Sequence, residues 1–186
     1  MTYIKLLIFE SGCVRDRLFA KEENTAGNKR GRNNLRYHKE ERALKIEGSY
    51  TFKAPRQKVW DVLLDPKMIA QCMPGCEGLK EIGPDQYEAT MKIGIASVKG
   101  TYKGKVSIKE RQAPSHYVLS GEGSGGPGFM KGDMSIDLEE KNGETTLKYS
   151  TDAKIGGLIA GVGQRMLGGV ARMMVDQFFK KMESLV

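Results

Sequence analysis

The last stretch of the chain, residues 158–186, constrains the fold more than any other. Its apolar residues recur at spacings of three and four, the period of one face of an α-helix. At about 1.5 Å per residue, such a helix would span a whole small domain. The opposite face is polar. The apolar positions are Ile159, Val162, Met166, Val170, Met173, Met174, Phe178, Met182 and Leu185.

The region before this helix predicts β-structure. Residues 44–53 alternate between apolar and polar, and six further strand-like stretches follow between Glu77 and Ala153. Because one face of nearly every strand is apolar, the sheet must curl around the helix to bury it. We therefore predict an α+β fold, in which a curved antiparallel sheet of about seven strands wraps around a long C-terminal helix.

Two short helices are predicted after the first strand. Pro55 opens the first helix, at a position where its missing N–H is not needed. Asp65-Pro66 ends that helix, because the residue before proline avoids the helical conformation. Asp65 then caps the second helix. We expect Trp60, on the apolar face of the first helix, to be buried against the sheet.

The charge of the chain is concentrated at its N-terminus. The formal net charge of the 186 residues is +7, and residues 1–43 hold ten Lys/Arg against six Asp/Glu, which leaves +3 for the rest. This distribution gives no reason to expect a nucleic-acid partner for the folded domain. The chain has no apolar run long enough to cross a membrane. Three cysteines without a secretory signal favour the reducing cytoplasm.

Residues 1–43 differ in character from the rest. Residues 21–42 are polar and patternless, a composition that is typical of disorder. Lys39-Glu40-Glu41 can be encoded by AAG-GAG-GAG, which contains a bacterial ribosome-binding site, and a leucine codon at Leu44 can act as a start. We therefore predict a disordered or non-native leader over residues 1–43 and a folded domain over 44–186. Other codons in the genomic DNA at 39–41 would contradict the leader hypothesis.

Several short strings stand out in residues 44–186. They are Ile46-Glu47-Gly48, Ala54-Pro55 with Val59-Trp60, Asp65-Pro66, Cys72-Met73-Pro74-Gly75-Cys76-Glu77, Gly100-Thr101-Tyr102-Lys103-Gly104, the Gly121–Gly128 loop and Gly156-Gly157 with Gly168. Together with the order of elements, these strings resemble the G-subunit family of carbon monoxide dehydrogenase, which lies in the START-like, polyketide cyclase-like superfamily. The string that begins at Cys72 is the most specific of them.

The resemblance implies a helix-grip fold, in which the sheet and the last helix enclose an apolar cavity. It also implies an accessory role beside a molybdenum-type carbon monoxide dehydrogenase, in membrane recruitment or quinone handling. The expected location is the cytoplasm, with peripheral contact to the inner face of the cell membrane. The expected partners are an apolar small molecule, a quinone or a lipid, and the subunits of the dehydrogenase.

The predicted cavity is lined by apolar and aromatic side chains on inward positions. Inward glycines (Gly48, Gly100, Gly104, Gly132) would leave space, and flexible methionines would adapt to a guest. No cofactor is predicted other than a bound quinone or lipid. The predicted lining residues are Tyr50, Met68, Met91, Tyr102, Phe129, Met130, Met134, Met166, Val170 and Met173.

Candidates for catalysis or metal binding are few. His116 is the single histidine of residues 44–186 and has no evident catalytic partner. Cys72 and Cys76 have a spacing unlike that of common zinc sites and lack a second ligand pair. The segment 123–128, GSGGPG, has the glycines of a phosphate loop but lacks its Gly-Lys-Ser/Thr ending, so we interpret it as a flexible strand connection. We predict a non-enzymatic binding protein with no metal site; a START-like cyclase or hydrolase and a ligand-free assembly factor remain alternatives.

The leader hypothesis has a direct physical consequence. Amide hydrogens of residues 10–40 should exchange at nearly the rate of an unfolded chain, because the segment cannot bury enough apolar surface to order itself. Hydrogen exchange followed by mass spectrometry measures this, with peptides from the predicted strands as the protected reference. Slow exchange over most of residues 10–40 would show that the segment belongs to the fold.

Overall fold

Helices and strands follow one another in the order that the hydrophobic pattern predicts. The computed structural model describes residues 41–95 and 98–186; residues 1–40 of the predicted leader lie outside the described residues. The elements are β1 (Arg42–Phe52), α1 (Arg56–Leu64), α2 (Pro66–Cys72), β2 (Cys76–Gly83), β3 (Gln86–Ile93), β4 (Gly100–Gln112), β5 (His116–Gly125), β6 (Gly128–Lys141), β7 (Glu144–Gly157), a short 3₁₀ turn (Leu158–Gly161) and α3 (Gln164–Glu183).

The described strands form one antiparallel sheet in the order β1-β7-β6-β5-β4-β3-β2. From β2 to β7, each strand pairs with its neighbour in sequence. β1 instead pairs with β7, with Leu44 opposite Ala153 and the ladder reaching Arg42. The β6–β7 turn has φ values of 55° at Asn142 and 80° at Gly143, which fits the predicted Asn-Gly hairpin. The predicted fold class is confirmed.

α3 packs against β1 and β7 on the concave face of the sheet. The ring of Phe179 lies 5.2 Å from that of Tyr50, 5.9 Å from Phe52 and 5.8 Å from Tyr149, measured between centroids. Met182, one turn further along, is fully buried. These contacts place part of the hydrophobic core between α3 and one edge of the sheet, and the same cluster continues to Trp60 and Tyr117.

The two short helices cover one end of the concave face. On α1, Val59, Trp60 and Leu63 are buried, and the Trp60 indole meets the Tyr117 ring edge to face at 5.4 Å. Asp65 caps α2, since its Oδ1 accepts hydrogen bonds from the backbone N–H groups of Lys67 at 2.8 Å and Met68 at 3.4 Å. Both predictions, the buried tryptophan and the Asp65 cap, are confirmed.

The C-terminal helix is shorter than predicted and rotated. Leu158–Gly161 forms a separate 3₁₀ turn, and Gly163 has extended backbone (φ −55°, ψ 140°) just before α3. Because the break changes the helical phase, the buried positions of α3 are Leu167, Phe179 and Met182. Met166 and Met173, on the predicted apolar face, are 48% and 41% exposed. Gly168 and Gly169 lie within α3, which continues through them.

The glycine-rich segment is mostly strand rather than loop. Gly123, Ser124 and Gly125 belong to β5, and Gly123 pairs with Gly104 of β4. Only residues 126–127 make the turn to β6. The interpretation of residues 123–128 as a flexible connection is therefore wrong for residues 123–125. Pairing with β4 extends β5 through these residues although glycine has a low β-propensity.

Removing the Trp60 side chain should destabilise the domain strongly. Trp60→Ala should lower the free energy of unfolding by about 3–5 kcal/mol, since the indole is only 5% exposed and leaves a cavity beside Tyr117. Urea denaturation measures the change. Lys58→Ala, on the exposed face of the same helix, is the control and should cost about 0.5 kcal/mol or less. Equal stability of wild type and Trp60→Ala would contradict this packing.

Candidate functional site

α3 lies at one edge of the sheet, and several residues on the concave face of β3–β6 stay partly exposed. One flank of the helix is tied to β1, where the Tyr50 hydroxyl donates a hydrogen bond to Glu183 Oε2 at 2.8 Å and the Tyr50 ring meets Phe179. Met166, Val170 and Met173 lie roughly 120–180° around the helix from Phe179. On this second flank Val170 is partly buried against the core, whereas Met166 and Met173 are exposed.

This partly exposed surface is a groove on the concave face of β3–β6, next to the buried core residues Tyr117, Ile136 and Leu138. Cross-strand pairing places its floor residues on one face, and nearly all of them are partly exposed. The groove is therefore open along the sheet rather than an enclosed cavity. Its floor is formed by Met91, Tyr102, Gly104, Val106, Leu119, Gly121, Gly123, Gly132 and Met134.

Glycines on the concave face serve two different purposes. A Cβ at Gly132 would lie 2.3 Å from the Asp152 carbonyl oxygen, and one at Gly104 would lie 2.5 Å from that of Glu122, so these glycines allow close strand approach. A Cβ at Gly121 would meet its nearest atom at 3.7 Å, and one at Gly123 at 3.6 Å. Gly121 and Gly123 therefore each have room for a methyl group in ordinary van der Waals contact with its neighbours.

The space predicted above Gly48 is already filled. A Cβ there would lie 2.4 Å from the Tyr149 hydroxyl oxygen, because the Tyr149 ring lies across Gly48. Gly100 is likewise close to the Pro127 ring, at 3.0 Å. The interpretation of these two glycines as empty space is wrong, since a long-range neighbour occupies each position.

Three predicted lining residues lie on the groove floor and three at its margin. Met91, Tyr102 and Met134 are partly buried on β3, β4 and β6. Met130, Met166 and Met173 are 51%, 48% and 41% exposed, so they cannot line a closed interior. Val170 is partly buried against the core beside them, and Met68 is partly buried on α2.

Two predicted lining residues have other roles. Phe129 is directly followed by Met130 in β6, so the two side chains point to opposite faces of the sheet. The Phe129 ring lies over Gly156 on the convex face and cannot share a site with Met130. Tyr50 is on the concave face, but it closes the seam between β1 and α3.

The groove floor carries no formal charge. The Tyr102 hydroxyl donates a hydrogen bond to the Val98 carbonyl oxygen at 2.8 Å, and burial raises the pKa of this phenol, which keeps it neutral at physiological pH. Lys131 and Glu122, beside the floor positions on β6 and β5, lie on the convex face, where they pair at 3.5 Å. This arrangement suits an apolar guest.

The groups considered for catalysis lie away from the groove or are buried. His116 opens β5, and its Nδ1 lies 2.7 Å from Asp137 Oδ1 on the convex face. Cys72 is 2% exposed, and burial raises the pKa of its thiol although Lys181 partly opposes the shift. Cys76 is half-buried beside Met91. Within residues 41–95 and 98–186, no three His, Cys, Asp or Glu side chains converge as a metal site would require.

A recess of about 260 Å³ lies between the start of β1 and the N-terminus of α3. It is below the range of roughly 300–1,000 Å³ usual for ligand pockets.

Comparison with known proteins agrees with this architecture. The family model of the carbon monoxide dehydrogenase G subunit (CoxG) matches residues 48–186. The chain belongs to this family. A conserved protein from Geobacillus kaustophilus is 42% identical, with a TM-score of 0.74 over 76% of this chain and 93% of its own. None of the curated protein sequences compared with the chain matches it.

Distant solved structures share the fold of this CoxG family member. A START superfamily protein from Mycobacterium smegmatis has a TM-score of 0.58 at 13% identity, covering 75% of this chain and 94% of its own. A protein from Rhizobium leguminosarum has a TM-score of 0.63 at 11% identity, covering 79% and 96%. At these identities the likeness establishes the START-like fold alone.

Sequence reasoning missed Gly121 and Gly123 because the strand period was not continued into the glycine-rich segment. Extending the alternation from Tyr117 and Leu119 by two more steps reaches both residues. The signal was therefore present, but the low strand propensity of glycine concealed it.

The two kinds of glycine should respond in opposite ways to a methyl group. Gly121→Ala should stabilise the domain by about 0.5–1 kcal/mol, because the added Cβ has room and the unfolded chain loses freedom. Gly132→Ala should destabilise it by about 1–3 kcal/mol, since backbone must move. Urea denaturation of both variants checks the pair. Equal effects would contradict the distinction.

Proposed function

We propose that the groove binds an apolar small molecule, a quinone or a lipid, and does not change it chemically. The observation that carries the proposal is an apolar, uncharged and partly exposed floor, on which Gly121 and Gly123 present no side chain. Concave, mostly apolar surfaces with few polar groups are typical of ligand sites.

The apolar surface that a guest could bury is large enough for reversible binding. A guest that buries about 300 Å² of apolar surface would gain roughly 7 kcal/mol before ordering costs. That figure corresponds to a dissociation constant near ten micromolar at best. Met91 and Met134 on the floor can adjust to the guest, because thioether side chains are flexible.

We also propose that the protein serves a molybdenum-type carbon monoxide dehydrogenase or a related hydroxylase. Family membership supports this role. The margin of the groove exposes Met130, Met166 and Met173, and Leu158 is 68% exposed. Exposed apolar side chains of this size suit contact with a partner enzyme or with the inner face of the cell membrane.

No helix in the described part of the chain is both long and apolar enough to cross a bilayer.

An enzymatic role has less support. The pair that most resembles a catalytic dyad, His116 and Asp137, lies on the convex face, so it cannot act on a guest in the groove. A ligand-free assembly factor is the other alternative. Native mass spectrometry of protein purified from a quinone-containing host separates it from a carrier by the mass of a retained guest.

Filling the groove should abolish binding without unfolding the protein. In Gly121→Leu, the added side chain would project above the floor, whereas in Ser120→Leu the same group would lie on the convex face. Wild type and Ser120→Leu should bind a ubiquinone or menaquinone analogue with equal affinity. Gly121→Leu should bind it at least tenfold more weakly.

Calorimetric titration measures the affinities, and thermal melting verifies that all three proteins are folded. Saturable binding that Gly121→Leu leaves unchanged would move the site elsewhere. The absence of saturable binding of any quinone or lipid to the wild type would sink the carrier proposal.

A further inference from the structure

Thr151 has a buried hydroxyl without a hydrogen-bond partner. Its Oγ1 is shielded from solvent, and it is the one such unpartnered side-chain atom within residues 41–95 and 98–186. Buried polar groups are nearly always paired, and an unpaired one destabilises the fold. This hydroxyl therefore calls for an explanation.

The side chains around Thr151 on the concave face give no reason for a hydroxyl at this position. On the concave face of β7 its nearest same-strand neighbours are Tyr149 and Ala153, and its direct cross-strand neighbours are Ile46 and Met134. Three of them are apolar, and the fourth, Tyr149, has a phenol hydroxyl to which Thr151 Oγ1 makes no hydrogen bond. Valine has nearly the same shape as threonine and would fill this position without leaving a polar atom unpaired.

Thr151 also lies at the border between the core and the groove. Met134, its direct neighbour on β6, is partly buried on the groove floor, and Cβ atoms of such pairs are about 5 Å apart. A guest that displaced the flexible Met134 side chain would lie directly beside the Thr151 hydroxyl.

We propose that the Thr151 hydroxyl is the polar anchor of the groove and donates a hydrogen bond to a carbonyl oxygen of the guest. The proposal rests on the proposed carrier function and narrows it. The guest is an apolar molecule with a carbonyl group, as in a quinone or an acyl ester, rather than a pure hydrocarbon.

A carbonyl fits better than a donor group because of what surrounds Thr151. The O–H needs an acceptor, Ile46, Ala153 and Met134 contribute only aliphatic and thioether groups, and the Tyr149 hydroxyl is not hydrogen-bonded to Oγ1. A carbonyl oxygen supplies the acceptor and brings no donor that would itself need a partner. The bond would form in surroundings of low dielectric, where it is strengthened.

The chain offers a matched control on the same strand. Thr145 lies on the same face of β7 and is fully buried, and its hydroxyl donates to the Ala54 carbonyl oxygen at 2.7 Å. Thr151→Val and Thr145→Val remove the same atom, but only the second breaks an existing hydrogen bond. Thr151→Val should raise the melting temperature by a few degrees, and Thr145→Val should lower it.

Binding is measured by calorimetric titration with duroquinone and durene, which share a tetramethylated ring and differ in the two carbonyl groups. In Thr151→Val the preference for duroquinone over durene should fall by about three- to tenfold, the worth of one hydrogen bond. Thr145→Val should keep the wild-type preference. Methyl decanoate against undecane repeats the comparison for acyl esters and tells which carbonyl source the groove prefers.

The outcomes separate the two proposals. If wild type binds both aromatic probes and Thr151→Val leaves their ratio unchanged, the anchor assignment is wrong and the carrier function stands. A lower melting temperature of Thr151→Val would also overturn the assignment, because the hydroxyl would already have a partner. If the wild type binds none of the four probes, both proposals fail together.

Discussion

The contact of Phe179 with three aromatic rings decides where the C-terminal helix lies, and the rest of the structure depends on that position. Tyr50 and Phe52 come from β1 and Tyr149 from β7, so one side chain joins the helix to the first and last strands of the domain. The hydrogen bond from Tyr50 to Glu183 holds the same flank of the helix and raises the pKa of the Tyr50 phenol, with burial adding to the shift. α3 is thereby held over one edge of the sheet.

The groove follows from a difference in width. Seven strands at about 4.8 Å spacing make a sheet roughly 29 Å across, whereas a helix with its side chains is about 10–12 Å wide. One helix held over β1 and β7 cannot cover the concave face of β3–β6. α1 and α2 close one end, where Trp60 and Tyr117 pack, and the remainder stays open. The apolar floor is therefore a consequence of covering a wide sheet with a single long helix at its edge.

Much of the fold could be predicted from sequence because its signals are local. The Asp65 cap, the Asn142-Gly143 turn and the alternation along each strand depend on a few adjacent residues, and the structure confirms them. The site was predicted less well. Met91, Tyr102 and Met134 lie on the groove floor, but Phe129 is on the opposite face and Tyr50 belongs to the aromatic seam. The glycine argument failed for Gly48, whose space is taken by a residue about a hundred positions away.

The sequence by itself determined the order of elements, the antiparallel hairpins and the apolar face of each strand, since hydrophobic period and turn chemistry act over short distances. Only the tertiary structure decided the phase of α3, because Gly163 interrupts the helical pattern and packing against β1 and β7 then chose the buried face. Tertiary pairing also drew Gly123 and Gly125 into β5 and left the Thr151 hydroxyl without a partner. Those outcomes depend on contacts between residues far apart in the chain, which no local pattern specifies.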